Sequence, residues 1–182
     1  AKAEARGTSG FSMGGFASIN LAFKHPDIFK YVLSVGPGLL RDDELDIAFD
    51  TWKNDKPFLK AYARTFAPNP EAEALGDIPT LDGSDEDNAI CEKWLDGFGH
   101  VAEKVDNYLS RNSALNKIMI IYGESDYYKW IPEGCKLIDE IMTGKNIDHT
   151  MVPLKIGHII PNGFVEDYFI PFFSEAWAGV SQ

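Results

Sequence analysis

The chain has 182 residues, 45% of them hydrophobic and 13% aromatic, with 16 Gly and 10 Pro, a composition that excludes disorder, collagen and coiled coil and suits one or two packed domains. No apolar run nears the roughly 18 residues of a membrane-spanning helix, and a formal charge of -11 argues against broad contact with nucleic acid phosphate or anionic lipid. Two cysteines, Cys91 and Cys135, supply neither a disulfide framework nor zinc-ligand spacing.

In chain order, residues 6–11 read as a short extended stretch. Residues 14–24 read as a helix with Ala17, Leu21 and Ala22 facing inward, ended by His25-Pro26. Residues 31–35 (YVLSV) are continuously apolar and bounded by Gly36-Pro37-Gly38, as in a strand buried on both faces of a parallel sheet. Helical signals follow at 42–53, 58–66 and 85–109. The last opens with Ser84 and Asp87 in capping-box spacing and holds Gly97 and Gly99 as a point where it can split. Residues 118–123 (IMIIYG) give a second buried strand, and 132–143 a helix with Leu137, Ile138, Ile141 and Met142 on one stripe. Residues 149–156 form a last strand, whose Pro153 places it near the sheet edge. An aromatic segment, 164–177, is expected to pack against the sheet as a helix interrupted at Pro171.

Strand and helix alternate as in an open α/β sheet with right-handed crossovers. Residues 39–117 break the rhythm and read as a helical insertion over one end of the sheet. That segment holds 17 of the 28 acids and 9 of the 17 bases, a net charge of -8.

Between the first strand and its helix lies Gly10-Phe11-Ser12-Met13-Gly14, a G-x-S-x-G pentapeptide in the strand-turn-helix setting that the motif requires. Gly10 and Gly14 let neighbouring backbone approach, so that the Ser12 hydroxyl stands clear of the sheet. The bland alternative is a glycine-rich turn with an incidental serine. A serine hydroxyl needs a base to take its proton and an acid to orient that base. In nucleophile-elbow hydrolases these follow in the order acid, then histidine, on loops after later strands. The strand ending at Gly123 is followed by Glu124-Ser125-Asp126, and the strand near Ile156 by Gly157-His158. Asp126 is the preferred acid and Glu124 the runner-up. His158 is the preferred base, because His25 reads as a helix cap, His100 lies within the insertion and His149 begins a strand. Met13 N–H is the expected oxyanion donor. No second donor is evident in the chain. Tyr127, Tyr128, Trp130 and Trp52 either line a pocket or pack ordinarily.

The stretch GFSMGGFASINLAFKHPDIFKYVLSVGPG closely resembles an esterase family of α/β hydrolases that includes feruloyl and acetylxylan esterases, S-formylglutathione hydrolases, enterochelin esterases and mycolyltransferases. The resemblance is strong over residues 7–37. Between 118 and 173 it rests on IIYGESD and Gly157-His158, and it does not extend to 39–117. It implies Ser12 as nucleophile, Asp126 as acid, His158 as base and Met13 N–H as oxyanion donor. The fold class expected is α/β: the C-terminal portion of an α/β-hydrolase fold with a mainly parallel sheet. All of residues 1–182 would then be part of one domain whose N-terminal strands lie outside the sequence. The expected function is cofactor-independent, metal-independent hydrolysis of a small-molecule carboxylic ester, with no nucleic acid or membrane partner. A peptidase of the same fold and a catalytically silent binding domain are the alternatives. An upstream segment or companion chain is expected beside residues 6–11, completing the sheet and the oxyanion hole.

Overall fold

The computed structural model describes residues 2–178. Four strands, β1 (Gly7–Phe11), β2 (Tyr31–Val35), β3 (Lys117–Gly123) and β4 (Thr150–Leu154), form one sheet in the order β1-β2-β3-β4. Every pair is parallel, with Gly7 opposite Tyr31, Tyr31 opposite Lys117 and Met119 opposite Thr150. All five residues of β2 are buried, which accounts for the unbroken apolar run in its sequence. Pro153 sits on β4, at one edge of this sheet, where a missing N–H is tolerated. β1 forms the other edge.

Alternate residues of the strands feed two cores. Val32, Ile118 and Ile120 face the larger one, formed with α1 (Met13–Lys24), α5 (Val101–Leu109) and α6 (Trp130–Gly144). Leu33, Val35 and Ile121 face the other side, where Phe172 and Phe173 of α7 (Ile170–Ala178) cover them. Between β2 and β3 the chain runs through α2 (Leu45–Trp52), α3 (Lys56–Phe66), α4 (Asp85–Phe98) and α5. Among the described residues, 39–116 hold no strand beyond an isolated bridge, Pro68 to Gly76.

The break between α4 and α5 falls at Gly99-His100. His100 takes a left-handed conformation (φ 47°), and its backbone N–H donates to Asp42 Oδ1 at 2.6 Å. The Ser84 hydroxyl caps α4 by accepting from Asp87 N–H at 3.2 Å. The Asp87 carboxylate accepts instead from Thr80 and Asp82, fastening the preceding loop.

Two local expectations are corrected. On α1 the buried residues are Gly15, Ser18, Ile19, Ala22 and Phe23, whereas Ala17 is exposed and Leu21 is 43% exposed. At Gly15 the helix lies hard against β2: a Cβ there would lie 2.7 Å from the Val35 carbonyl oxygen. Ser18 and Ser34 hydroxyls both donate to Gly15 O, at 2.8 and 2.9 Å, so this polar contact is satisfied. At the other end of the chain, Pro171 does not interrupt a helix. Helical backbone runs on from 164 to 178, and the winding changes from a π-helical turn (Val165–Phe169) to α7 just before Pro171, the second residue of α7.

Candidate active site

β1 ends in Phe11, α1 begins at Met13, and Ser12 alone makes the turn between them, with φ 56° and ψ -116°. An L-residue rarely holds such a backbone conformation. It is fixed from outside, because Ser12 N–H donates to Val35 O at 2.9 Å while Ser12 O accepts from Phe16 N–H at 2.9 Å. A Cβ at Gly10 would overlap the Gly14 backbone, so the turn closes only with glycine there; Gly14 itself faces open space. The result points the Ser12 hydroxyl away from the sheet at the start of a helix. The first amides of that helix, Met13 N–H among them, have no intrahelical acceptor.

His158 and Asp126 arrive from the loops after β4 and β3. His158 Nε2 lies 2.8 Å from Ser12 Oγ, and His158 Nδ1 lies 2.7 Å from Asp126 Oδ2. The carboxylate can only accept, so Nδ1 carries the proton and Nε2 offers its lone pair to the hydroxyl. Asp126 is 1% exposed, and its second oxygen accepts Tyr128 N–H at 2.8 Å. Glu124, exposed at the end of the same strand, takes no part. The imidazole is held by rings as well. Phe11 lies 4.8 Å from it, and Tyr128 meets it edge to face at 4.9 Å.

The other histidines are accounted for elsewhere. His25 follows α1 as its C-cap residue. His149 bonds Asp139 and the Ile147 carbonyl, at 2.8 and 2.7 Å. His100 bonds Asp42 and faces Glu92 and Asp96 at 3.3 and 3.6 Å. Burial alone would lower the His100 pKa, but the bond and charge of Asp42, together with Glu92 and Asp96, raise it above the ordinary histidine value. Cys91 and Cys135 are both free thiols. Burial, then the charge of Asp126, pushes the Cys135 thiol well up, so it remains protonated and inert.

Ser12 and Met13 form part of the wall of a cavity of about 150 Å³. The rest is largely aromatic: Trp52, Phe58, Tyr62 and Phe98 from α2, α3 and α4, with Tyr128 and Trp130 from the start of α6 and the turn before it. Trp52 and Trp130 therefore fall where the sequence suggested. Tyr127 does not: it is 73% exposed and outside the lining, and Tyr128 occupies that place. The Asp126 to Tyr128 bond turns the chain so that neighbouring tyrosines part company. Phe58, Tyr62 and Phe98 were not singled out from sequence. The helical signals over 58–66 and 85–109 carried no sign that these helices enclose a hollow. The indole Nε1 atoms of Trp52 and Trp130 are sealed in the wall with no acceptor among the described residues.

A parallel sheet with a serine at a strained strand-to-helix turn, and an acid and a histidine on the two following post-strand loops, is the arrangement of the α/β-hydrolase fold. Residues 1–128 match the family described as "Putative esterase", and the chain belongs to that family. No curated protein matches the chain in sequence. Among solved structures it is similar to a ferulic acid esterase, with a TM-score of 0.57 and 14% identity over 97% of this chain and 53% of that one. An S-formylglutathione hydrolase from Staphylococcus aureus gives a TM-score of 0.55 and 13% identity over 96% and 55%. A fluorophosphonate-binding serine hydrolase from the same organism gives 0.53 and 13% over 96% and 55%. These likenesses establish the fold. The chain spans about half the length of the structures it resembles.

Proposed function

We propose that the protein hydrolyses carboxylic esters through Ser12, His158 and Asp126. The observation that carries this reading is the continuous run of bonds from Ser12 Oγ through His158 to the buried Asp126. Ser12 Oγ attacks the ester carbonyl while His158 Nε2 takes its proton, and Asp126 stabilises the imidazolium. The developing oxyanion faces Met13 N–H at the start of α1. The tetrahedral intermediate expels the alcohol, which receives the proton from His158. Water then attacks the acyl-serine with the same base and acid steps, releasing the carboxylic acid and restoring Ser12. Ester and water are consumed; acid and alcohol are formed.

Two parts of the reading concern the surroundings. Residues 39–117 act as a cap, because Trp52, Phe58, Tyr62 and Phe98, all within that segment, form much of the wall around Ser12. A further polypeptide segment pairs with the outer edge of β1 and supplies a second oxyanion donor, since β1 has a strand neighbour on one side only in the described sheet. The test is a fluorophosphonate probe with peptide mapping: the full-length protein should be labelled at Ser12 and the Ser12→Ala variant should not. An unlabelled wild-type Ser12 that also leaves p-nitrophenyl acetate intact would favour a silent binding domain.

A further inference from the structure

Two stretches of chain meet along a seam that ends in the cavity wall. Residues 38–42 lead away from β2, and residues 98–100 join α4 to α5. At the inner end Gly38 and Phe98 both line the cavity beside Ser12, so close that a Cβ on Gly38 would lie 3.5 Å from the Phe98 ring. The Phe98 ring is the hub of that wall, with centroids of Phe16, Trp52, Tyr62, Phe66 and Trp130 at 5.0, 5.4, 4.6, 4.9 and 5.9 Å. One step outward, Leu40 N–H donates to Phe98 O at 3.0 Å. At the outer end His100 N–H donates to Asp42 Oδ1 at 2.6 Å, and His100 Nδ1 lies 3.2 Å from Asp42 Oδ2. The Asp42 carboxylate sits against the bare backbone of Gly99, where a Cβ would lie 2.8 Å from Oδ1.

Carboxylates from two elements flank the His100 ring. Asp42, from the turn Asp42–Glu44, faces Nδ1, while Glu92 and Asp96 of α4 face Nε2 at 3.3 and 3.6 Å. A neutral imidazole carries one N–H and can donate to one side only, whereas the imidazolium donates to both. Protonation is therefore what ties α4 to Asp42 through this ring. Burial alone would lower the His100 pKa, but Asp42, Glu92 and Asp96 together raise it. The tie is thus complete below about 6.5 and lost as pH rises through the raised value. Lys104 of α5 is the other cation at the seam, donating to Asp96 O at 2.9 Å and to Gly99 O. Burial pushes its pKa down to about 8, with Lys24 of α1 acting in the same direction and Asp96, Asp42 and Glu103 opposing.

We propose that Asp42 and His100 form a latch on the cavity wall: with His100 protonated the seam is held shut and Phe98 is fixed as a binding surface beside Ser12, and with His100 neutral that wall slackens. His100 is then a positioning residue that acts through Phe98. Substrate binding responds to it rather than the chemical step, because His158 and Asp126 stand on other loops, after β4 and β3. The kinetic consequence rests on the ester-hydrolase reading, whereas the slackening of the wall does not.

Full-length wild type is compared with two variants. His100→Asn removes the titrating charge while keeping a residue that tolerates the left-handed backbone at that position (φ 47°). The double variant Glu92→Gln/Asp96→Asn keeps His100 and removes one side of the tie. KM and kcat for p-nitrophenyl acetate are measured from about pH 6 to about pH 9, a range that spans the titration of His100. At the acid end KM should be roughly 2- to 5-fold higher in each variant, the worth of exposed ion pairs, with kcat unchanged. At the alkaline end variants and wild type should converge, and concentrated salt should narrow the acid gap. Lys104 and His158 titrate in every one of these proteins and cancel in the ratio. A second arm needs no turnover: acrylamide quenching of tryptophan emission, which senses Trp52 and Trp130 against Phe98, should be greater in the variants in acid and equal to wild type in alkali. If quenching behaves in this way and no ester is cleaved, the hydrolase reading fails and the latch stands. If esters are cleaved but neither KM nor quenching separates variants from wild type in a pH-dependent manner, the latch is overturned and the hydrolase reading stands.

Discussion

Ser12 holds its side chain in a backbone conformation suited to glycine, and the stability consequence can be isolated with two substitutions. At φ 56° and ψ -116°, a residue with a Cβ carries strain of about 1–3 kcal/mol. Ser12→Ala keeps that strain and loses the hydrogen bond to His158, worth about 0.5–1.5 kcal/mol. Ser12→Gly loses the same bond and relieves the strain, at the cost of about 0.5–1 kcal/mol of extra chain entropy. The lost bond cancels in the comparison, and the Ser12 side chain makes no capping hydrogen bond to α1 that could enter it. The glycine variant should therefore exceed the alanine variant by about 1 kcal/mol, which for a chain of this size is a Tm difference of about 2–4 °C. Thermal and urea melts of both full-length variants measure this, and neither variant should take up a fluorophosphonate. An alanine variant as stable as the glycine variant, or more so, would show that the turn stores no strain and that its geometry has another origin.

Three further outcomes are expected. Asp126→Asn should lower kcat by roughly 10⁴-fold, because the amide can hold the wrong imidazole tautomer, whereas Glu124→Gln should leave kcat close to wild type; the reverse pattern in steady-state assays would make Glu124 the acid. Gly134→Ala should destabilise by about 1–3 kcal/mol or more, since its Cβ would overlap the Leu39 carbonyl, while Gly144→Ala, facing open space at the end of α6, should gain up to about 0.5–1 kcal/mol in urea melts. The raised pKa of His100 makes its bonds to Asp42, Glu92 and Asp96 stabilising below the ordinary histidine value of about 6.5 and progressively less so as pH rises through the raised one, so the stability gap between wild type and His100→Gln should be widest in mild acid and close toward alkaline pH; a gap independent of pH would remove the charged role of His100.

Much of this architecture was legible because the sequence states it in backbone terms. The apolar run of β2, Gly10 before Ser12 and the position of His158 after β4 each follow from a local requirement and lie where expected, whereas Gly14, read in the same way, faces open space. The errors arose where a side chain's direction depends on a partner far along the chain. The inward face of α1 was read as Ala17, Leu21 and Ala22, but the helix is rotated so that Gly15, Ser18, Ile19 and Phe23 join Ala22 against the sheet and Leu21 turns outward. Tyr127 and Tyr128 are indistinguishable in sequence, and a single bond from Tyr128 N–H to Asp126 decides which one meets His158. The hollow among Trp52, Phe58 and Phe98 was illegible for a similar reason, since helical spacing marks apolar positions without telling filled from empty space.

The hydrogen bond between Ser12 and His158 joins residues 146 positions apart. On the proposed mechanism, the two groups that make the hydroxyl nucleophilic, His158 and Asp126, both lie far downstream of it in the chain. During synthesis or refolding, β1, α1 and β2 can assemble from neighbouring sequence, but the serine remains an ordinary alcohol until β4 has docked and the loop behind it has closed. Chemical competence is therefore a late timestamp on folding. A fluorophosphonate pulse during refolding should mark molecules in which the last strand has arrived, trailing the burial of Trp52 and Trp94 that tryptophan emission reports.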